Sequence, residues 1–171
     1  GNTVRFSIKT NSSNVMRVAT VNFIKDDLAK IGIQVDATPL EFNSLITNLR
    51  QDFQYESILL GLQSATPPDP GMGQNVWRSS GLTHYWNIKQ PKPETATEVK
   101  VDALVEANVT TMDMAERKRT WTEIQNLVNE ECFIIWLPSM IYKVPIRSRF
   151  GNVHPTVIPH RIIWNIDKVF V

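Results

Sequence analysis

An apolar run that leads into a loop rich in proline and glycine constrains the fold more than any other feature of the sequence. Residues 58–62 read ILLGL. The run is too short for a helix and has no polar alternate position, which is typical of a strand buried on both faces of a parallel or mixed sheet. Residues 67–73 bring several prolines and glycines. Because these residue types exclude helix and ladder pairing, we predict a strand over 55–62 followed by a long surface loop.

The loop carries large aromatic side chains although it must cross the surface, among them Trp77, Tyr85 and Trp86. Aromatic residues on a rigid loop indicate a binding face, and Trp77 is the residue we predict to contact ligand; the alternative is a long loop capped by its own aromatic side chains. Ligands of open α/β sheets bind beyond the carboxyl ends of strands. The predicted ligand contacts at this strand exit are Gln63, Ser64, Ala65 and Thr66.

Strand and helix patterns alternate in the amino-terminal part of the chain. The predicted elements are a strand over 4–8, a helix with an apolar stripe over 18–31, a strand over 33–39, a short helix from about 43 and the strand over 55–62. Ser13 or Asn14 is the expected N-cap of the first helix, and Gly32 is expected to be left-handed after its end. Strands bracketing helices in this order predict an α/β fold with right-handed crossovers.

Two further helices and a buried strand are predicted after the loop. The apolar period indicates a helix over 98–109 and a second helix over about 113–130, where Asp113 and Glu116 resemble a capping box. The basic residues 117–119 are interpreted as a solvated face of the second helix. Residues 133–137 are apolar throughout, and we predict that they form a buried strand.

The carboxyl-terminal segment is more apolar than a solvated tail should be. Residues 140–146 read as extended, and the residues after them include Phe150, Trp164 and Phe170 between prolines. Exposed apolar surface of this extent marks an interaction site. We therefore expect the tail to pack on a surface that this chain does not contain.

The composition is that of a globular chain without a bulk preference for charged partners. The chain has 171 residues, 42% of them hydrophobic, and a formal net charge of +1. This near-neutral balance gives no general attraction to nucleic acid or an anionic membrane. The single cysteine, Cys132, precedes an apolar run and is predicted to be a buried structural thiol. No apolar stretch is long enough to span a membrane, and we expect any export signal to lie outside this chain.

Residues that commonly carry catalysis or bind metal do not form a recognisable motif in this sequence. The dinucleotide, P-loop, zinc-protease and nucleophile-elbow patterns are all absent from it. His84, His154 and His160 have no spacing typical of metal ligands. Asp69 lies between two prolines, where its side chain is expected to satisfy its own turn rather than act as a general base. We predict no catalytic residue, no metal site and no cofactor.

Four segments considered together resemble the family 5 extracytoplasmic solute-binding proteins, the peptide, dipeptide and nickel receptors of ABC importers. They are KIGIQV at 30–35, PLEFN at 39–43, LGL before PDP at 60–70 and DMAERKR at 113–119. The resemblance implies one lobe of a type II periplasmic-binding-protein-like fold, with a mixed sheet flanked by helices. It further implies that residues 1–140 form the carboxyl-terminal, ligand-binding lobe of a protein several times larger. Residues 141–171 are then a hinge return and a tail that packs on the absent amino-terminal lobe.

The resemblance also implies roles for individual residues. Peptide-binding members carry a tryptophan directly after the glycine of the third strand and, three residues later, an aspartate that pairs with the ligand's amino group. Here Leu62 and Ala65 hold those positions, so the charge-assisted hydrogen bond to a free ammonium is lost. Dipeptide-type members use an arginine near the start of the first helix for the ligand carboxylate, and Arg17 is the nearest counterpart.

The function implied is that of the solute-binding component of an ABC importer, not an enzyme. It is expected to bind an oligopeptide-like or other small polar solute by closure of two lobes, in the periplasm or another extracytoplasmic compartment. Its expected partners are the permease subunits and the amino-terminal lobe, with a possible lipid anchor outside this chain and no nucleic acid. Two alternatives remain open: an interaction module that recruits a partner through the apolar tail, and a hydrolase or transferase domain that uses Asp69 with His84.

Overall fold

The computed structural model describes residues 3–62, 69–88, 90–139, 141, 143–156 and 164–171. The chain divides into two compact units, Gly1–Gln63 and Ser64–Val171. The predicted assignment of 1–140 to a ligand-binding lobe and 141–171 to a hinge and tail stays a prediction.

The first unit is a parallel sheet with helices between its strands. Its elements in chain order are β1 (Arg5–Asn11), α1 (Val15–Ala29), β2 (Gln34–Leu40), α2 (Phe42–Thr47), a π-helical turn (Asn48–Asp52) and β3 (Ser57–Ile58). The strand order is β2-β1-β3, and β1 pairs in parallel with both neighbours. The predicted α/β class is confirmed.

The core of this unit joins β1, α1 and β2. Ile8, Val21 and Val35 are buried. The apolar side chains packed against them are Phe6, Ile24, Leu28, Ile33, Ala37 and Leu59. All three predicted strands therefore share one core with the stripe of α1, because only a sheet face can cover that stripe.

The ends of α1 follow the local sequence. The Asn14 side chain caps the helix by accepting the N–H of Arg17 at 3.0 Å, and Gly32 has a left-handed φ of 82°, so both predictions are confirmed. Ile31 was expected on the buried stripe but is 72% exposed. The helix ends at Ala29, so residue 31 no longer follows the helical period.

The third strand is shorter and less buried than predicted. Only Ser57 and Ile58 pair with β1, and Leu62 is 48% exposed. Among the strands the structure describes, β3 lies at the edge of the sheet and pairs on one side alone. The predicted strand over 55–62, buried on both faces, is therefore wrong, because only two residues join the sheet and both are half-buried.

The second unit is built on a pair of helices. Its elements are a 3₁₀ turn (Pro70–Gly73), α3 (Gln74–Trp77), α4 (Ala96–Thr110), α5 (Met114–Glu131) and a second 3₁₀ turn (Ile166–Lys168). Val101 and Val105 of α4 pack on Ile124 and Val128 of α5. The predicted exclusion of helix by residues 67–73 is wrong for the 3₁₀ turn at Pro70–Gly73, and α3 follows it directly. Pro70 stands in the first turn of the 3₁₀ segment, where a missing N–H costs nothing.

Both long helices begin at side-chain caps. Thr95 and Glu98 form a capping box for α4, so this helix starts earlier than predicted. Asp113 accepts the N–H of Ala115 at the start of α5, so its predicted N-cap position is confirmed. Its predicted capping-box partner, Glu116, pairs with Arg119 instead. None of the helices within the described residues is long and apolar enough to cross a membrane.

The segment after α5 departs from prediction. Residues 133–137 form no strand, and Ile135 and Trp136 are 82% and 57% exposed. In the described part of the second unit, the only strand-like pairing is the isolated bridge between Gly151 and Phe170, so this segment has no ladder to join. Cys132 was predicted to be buried but is exposed. It caps the end of α5 with a left-handed φ of 53°, so the chain leaves the helix at this residue.

Truncating Leu45 tests the packing under α2. This side chain is fully buried, so Leu45→Ala should lower the free energy of unfolding by roughly 2 to 5 kcal/mol through lost apolar burial and the cavity left behind. Chemical denaturation followed by circular dichroism measures the change. The matched control is Phe42→Ala on the same helix, which is 46% exposed and should change stability by roughly 0.5 kcal/mol or less. Equal effects of the two substitutions would contradict this packing.

Candidate functional site

The carboxyl edge of the sheet in the first unit holds a cationic side chain, that of Arg17. Arg17 lies in the first turn of α1, where Asn14 caps its backbone N–H. Its Nη1 donates a hydrogen bond of 2.7 Å to Oδ1 of Asn11, the last residue of β1. The guanidinium is therefore held at the carboxyl ends of the strands, where ligands of open α/β sheets bind.

The same guanidinium lies against the backbone that follows β3. A Cβ atom added at Gly61 would stand 2.8 Å from Nη2 of Arg17, closer than real atoms approach. Gly61 thus leaves the space that the guanidinium occupies. Leu62, the next residue, is 48% exposed, so two of the predicted ligand residues lie at one edge of the sheet.

No acidic partner neutralises this arginine within the described residues of the unit. Asn11 is 7% exposed, and it offers a neutral oxygen rather than a carboxylate. None of the ion pairs formed by the described residues includes Arg17. A half-buried guanidinium with spare N–H donors suits a carboxylate or another planar anion. Gln63, Ser64, Ala65 and Thr66 lie outside the described residues, and their predicted ligand contacts stay predictions.

Trp77 lies at the centre of a group of aromatic rings in the second unit, which we name the tryptophan cluster. Its members are Trp77, Trp86, Trp121, Phe133 and Trp136. The centroid of Trp77 lies 6.2, 5.8 and 6.2 Å from those of Trp86, Trp121 and Trp136. These contacts match the alternative of a loop capped by its own aromatic side chains. The predicted ligand contact of Trp77 stays a prediction, and Trp136 is the partner that is more than half exposed.

A buried polar pair beside this cluster was missed by the sequence analysis. His84 is 1% and Glu98 5% exposed, and Nε2 of His84 lies 3.5 Å from Oε1 of Glu98. Nδ1 of His84 lies 3.0 Å from the carbonyl oxygen of Val76. The pattern Thr95-x-x-Glu98 is a capping-box signal that predicts a hydrogen-bonded Glu98 but not its burial. Nothing in the sequence places His84 against it.

Several donors hold the Glu98 carboxylate. They are the side chain of Gln90 and the backbone N–H groups of Glu94 and Thr95, at 3.0, 2.8 and 3.0 Å. Burial alone would raise the pKa of Glu98. The hydrogen bonds from these groups outweigh that effect, and the pKa of Glu98 lies below its ordinary value.

Asp69 ties the start of the proline loop to α5. Its Oδ1 accepts the N–H of Gly71 at 2.7 Å, so the predicted satisfaction of its own turn is confirmed. The same oxygen pairs with Nη2 of Arg117 at 2.5 Å. The Arg117 guanidinium and the Gly71 N–H both lower the pKa of the Asp69 carboxyl. Arg117 was interpreted as part of a solvated face, but its side chain is only 22% exposed because Asp69 binds it.

The rest of the basic triplet lies on the exposed face of α5. Lys118 and Arg119 are exposed as predicted, and Arg119 pairs with Glu116 on its own helix. No group of three or more potential metal ligands occurs in the part of the chain that the structure describes. His160 lies outside that part.

No family model matches the sequence. A probable ABC transporter-binding protein of Deinococcus radiodurans is 26% identical over 134 residues, which cover 73% of this chain and 23% of the relative. The oligopeptide-binding protein AppA of Bacillus subtilis is 21% identical over 175 residues, covering 98% of this chain and 29% of AppA.

A solved structure of Bacillus subtilis AppA in complex with a nonapeptide superposes on the whole chain. The TM-score is 0.66 at 19% identity, and the match covers 100% of this chain and 32% of AppA. The chain resembles the family 5 solute-binding proteins. The predicted resemblance and the fold class are therefore confirmed. This solute-binding-protein-like chain spans less than a third of the length of these relatives.

The Glu98 network predicts how stability depends on pH. Because the pKa of Glu98 is lower in the folded state than its ordinary value, its charged form stabilises the fold above about pH 4.5 and this stability is lost as the pH falls through the folded pKa. Glu98→Gln should lower the free energy of unfolding at pH 7 by roughly 1 to 3 kcal/mol. It should also make the decrease in stability with falling pH less steep. Denaturation midpoints measured from pH 7 to pH 3 test this.

The control for this prediction is Glu130→Gln, which removes an exposed glutamate at the end of α5. It should leave both the stability at pH 7 and the shape of the acid profile unchanged. An acid profile of Glu98→Gln that coincides with the wild-type profile would contradict the assigned role of Glu98.

Proposed function

We propose that this chain is part of the solute-binding component of an ABC importer and binds an oligopeptide-like or other small polar solute. In this proposal the solute is held without covalent chemistry, between this chain and the remainder of a longer protein that closes over it. The loaded protein then delivers the solute to the permease subunits. It acts in the periplasm or another extracytoplasmic compartment, with a lipid anchor, if there is one, outside this chain.

The observation that carries this proposal is the Arg17 guanidinium at the carboxyl edge of the sheet. It is fixed by Asn11 and lies against Gly61, and it has no acidic partner among the described side chains. A fixed cation at a strand exit is suited to an anionic or strongly polar solute. The match of the whole chain to AppA supports a peptide-like solute in particular.

The exposed apolar residues of the second unit indicate that this unit binds a partner over a large surface. They comprise Ile135, Trp136, Leu137, Ile141, Trp164, Ile166, Phe170 and Val171. So much exposed apolar surface indicates an interface. The chain spans about a quarter to a third of its relatives, so we propose the remainder of the same protein as the partner. An interaction module for a different protein is the second candidate, and these same residues favour it.

The alternative of a hydrolase or transferase finds no support in the positions of Asp69 and His84. The carboxylate of Asp69 is bound by Arg117 and the Gly71 N–H. His84 is 1% exposed and faces Glu98 and the Val76 carbonyl. Neither side chain is placed to activate the other, and solvent or substrate does not reach the His84 ring.

A ligand screen of the full-length protein tests the proposed function. Thermal unfolding is followed with peptides, oligosaccharides and metal ions, since a ligand that binds the native state alone must raise the midpoint. The expected result is a rise with peptides or other small polar solutes. No rise with any class, together with measurable turnover or a stable complex of this chain with an unrelated protein, would overturn the proposal in favour of its alternatives.

Substitution of Trp77 separates a ligand contact from a structural role. Trp77→Phe retains an aromatic ring in the tryptophan cluster, so folding should persist. If Trp77 contacts the ligand, the smaller ring loses part of that apolar or stacking contact, and ligand binding should weaken by roughly 1 to 3 kcal/mol. Calorimetry of the full-length protein with a peptide from the screen measures the change. The matched control is Trp121→Phe, which alters the same cluster from α5. Unchanged affinity in both variants would make Trp77 a loop cap only.

The residue at position 65 predicts a preference at the ligand's amino terminus. An ammonium enclosed without the aspartate of peptide-binding members would lose hydration with no ion pair in return. Peptides with an acetylated amino terminus should therefore bind the full-length protein as tightly as free ones or more tightly, and Ala65→Asp should shift preference to the free form. Calorimetry on matched pairs measures both. A strong wild-type preference for the free terminus would mean that another carboxylate has the role.

A further inference from the structure

We propose that Asn11 and Gly61 are positioning residues that fix the Arg17 guanidinium to receive a carboxylate of the ligand. This assignment depends on the proposed solute-binding function and narrows it to solutes with a carboxylate. Asn11 acts on Arg17 through a hydrogen bond and Gly61 acts through the space that it leaves open. Neither residue needs to touch the ligand itself.

Asn11 is a rigid acceptor because its own contacts fix it. The side chain is buried at the end of β1. Its Nδ2 donates to Oγ of Ser13 at 3.2 Å, so Oδ1 is the atom presented to Nη1 of Arg17 at 2.7 Å. Its carbonyl oxygen accepts the N–H of Asn14 at 3.3 Å, within the turn that begins α1. The strand end and the helix start are thus linked through one asparagine.

The neutrality of Asn11 leaves the charge of Arg17 available. An aspartate at this position would accept the same hydrogen bond but would also form an ion pair with the guanidinium. That pair would compete with an incoming carboxylate for the positive charge. An amide oxygen orients the guanidinium and uses one of its N–H donors without neutralising it.

Gly61 leaves the space that the other end of the guanidinium occupies. Nη2 lies where a Cβ atom at position 61 would come within 2.8 Å, and Cζ within 3.8 Å. A side chain at 61 would force the guanidinium away from the strand exit, because the arginine end is flexible and the backbone is not. Nη1 is held by Asn11 and Nη2 occupies the space beside Gly61, so the position of the planar group depends on both residues. A planar, oriented guanidinium matches the two oxygens of a carboxylate.

The first test needs no ligand. Full-length protein labelled with ¹⁵N at arginine is measured by NMR, with Arg17→Lys used to assign the signals of Arg17. In the wild type, the Arg17 Nη signals should be resolved and slowed by the bond to Asn11. Asn11→Ala and Gly61→Ala should each return them to the averaged signals of a solvated arginine, whereas Asn22→Ala, an exposed asparagine on α1, should not. Averaged Arg17 signals in the wild type would overturn the positioning role.

The second test measures selectivity. The probes are acetylated alanine peptides of two lengths, three and nine residues, each with a free carboxylate or a carboxamide, titrated by calorimetry. Wild-type protein should prefer the carboxylate by about tenfold or more, and Arg17→Ala should abolish the preference. Asn11→Asp should lose more of the preference than Asn11→Ala, because it adds a competing charge. In the Arg17→Ala background, Asn11→Asp and Gly61→Ala should change the preference no further.

The two tests separate failure of this inference from failure of the proposed function. Binding of both probe forms without preference would overturn the carboxylate assignment and leave peptide binding in place. Binding of neither form, with rigid Arg17 signals, would count against a peptide solute while supporting the positioning role. Loss of preference in Asn11→Ala with unchanged Arg17 signals would overturn positioning, since Asn11 would then act by direct contact.

Discussion

The parallel pairing of β1 with both β2 and β3 is the constraint on which the first unit depends. Parallel neighbours cannot be joined by a tight turn, so each connection must cross a face of the sheet. The residues of α1 supply that crossing between β1 and β2, and its apolar stripe covers the sheet. Because all three strands then end at the same edge, the polar residues that follow them are brought together there. Arg17, Asn11 and Gly61 meet for this topological reason.

Features set by local chemistry could be predicted from the sequence. The N-cap Asn14, the left-handed Gly32 and the start of α5 at Asp113 each depend on a side chain and its nearest backbone groups. The order of strands and helices in the first unit could also be predicted, because its apolar residues recur with a clear strand or helix period. The shared core of Phe6, Val35 and Leu59 could then be predicted, because the strands of one sheet cover the same helix.

Features set by distant partners could not be predicted. Residues 133–137 have the composition of a buried strand, yet whether they are buried depends on neighbours that the local pattern does not contain. Cys132 is exposed because α5 ends there in a left-handed turn, which no apolar count reveals. In the candidate site, Arg17 came from the resemblance alone. Asn11 and Gly61 meet it from other elements of the fold, and neither is a residue type that marks a site by itself.

The contact of Asp69 with Arg117 gives the second unit a mechanical property. Asp69 caps the 3₁₀ turn and binds α5 with the same carboxylate oxygen, and Asn108 of α4 bonds the carbonyl oxygen of Arg117 at 2.8 Å. A force applied to the chain at Asp69 would therefore be borne by α4 and α5 and not by the 3₁₀ turn alone. The pair of helices thus anchors the loop at Asp69, the point where the described part of the second unit begins.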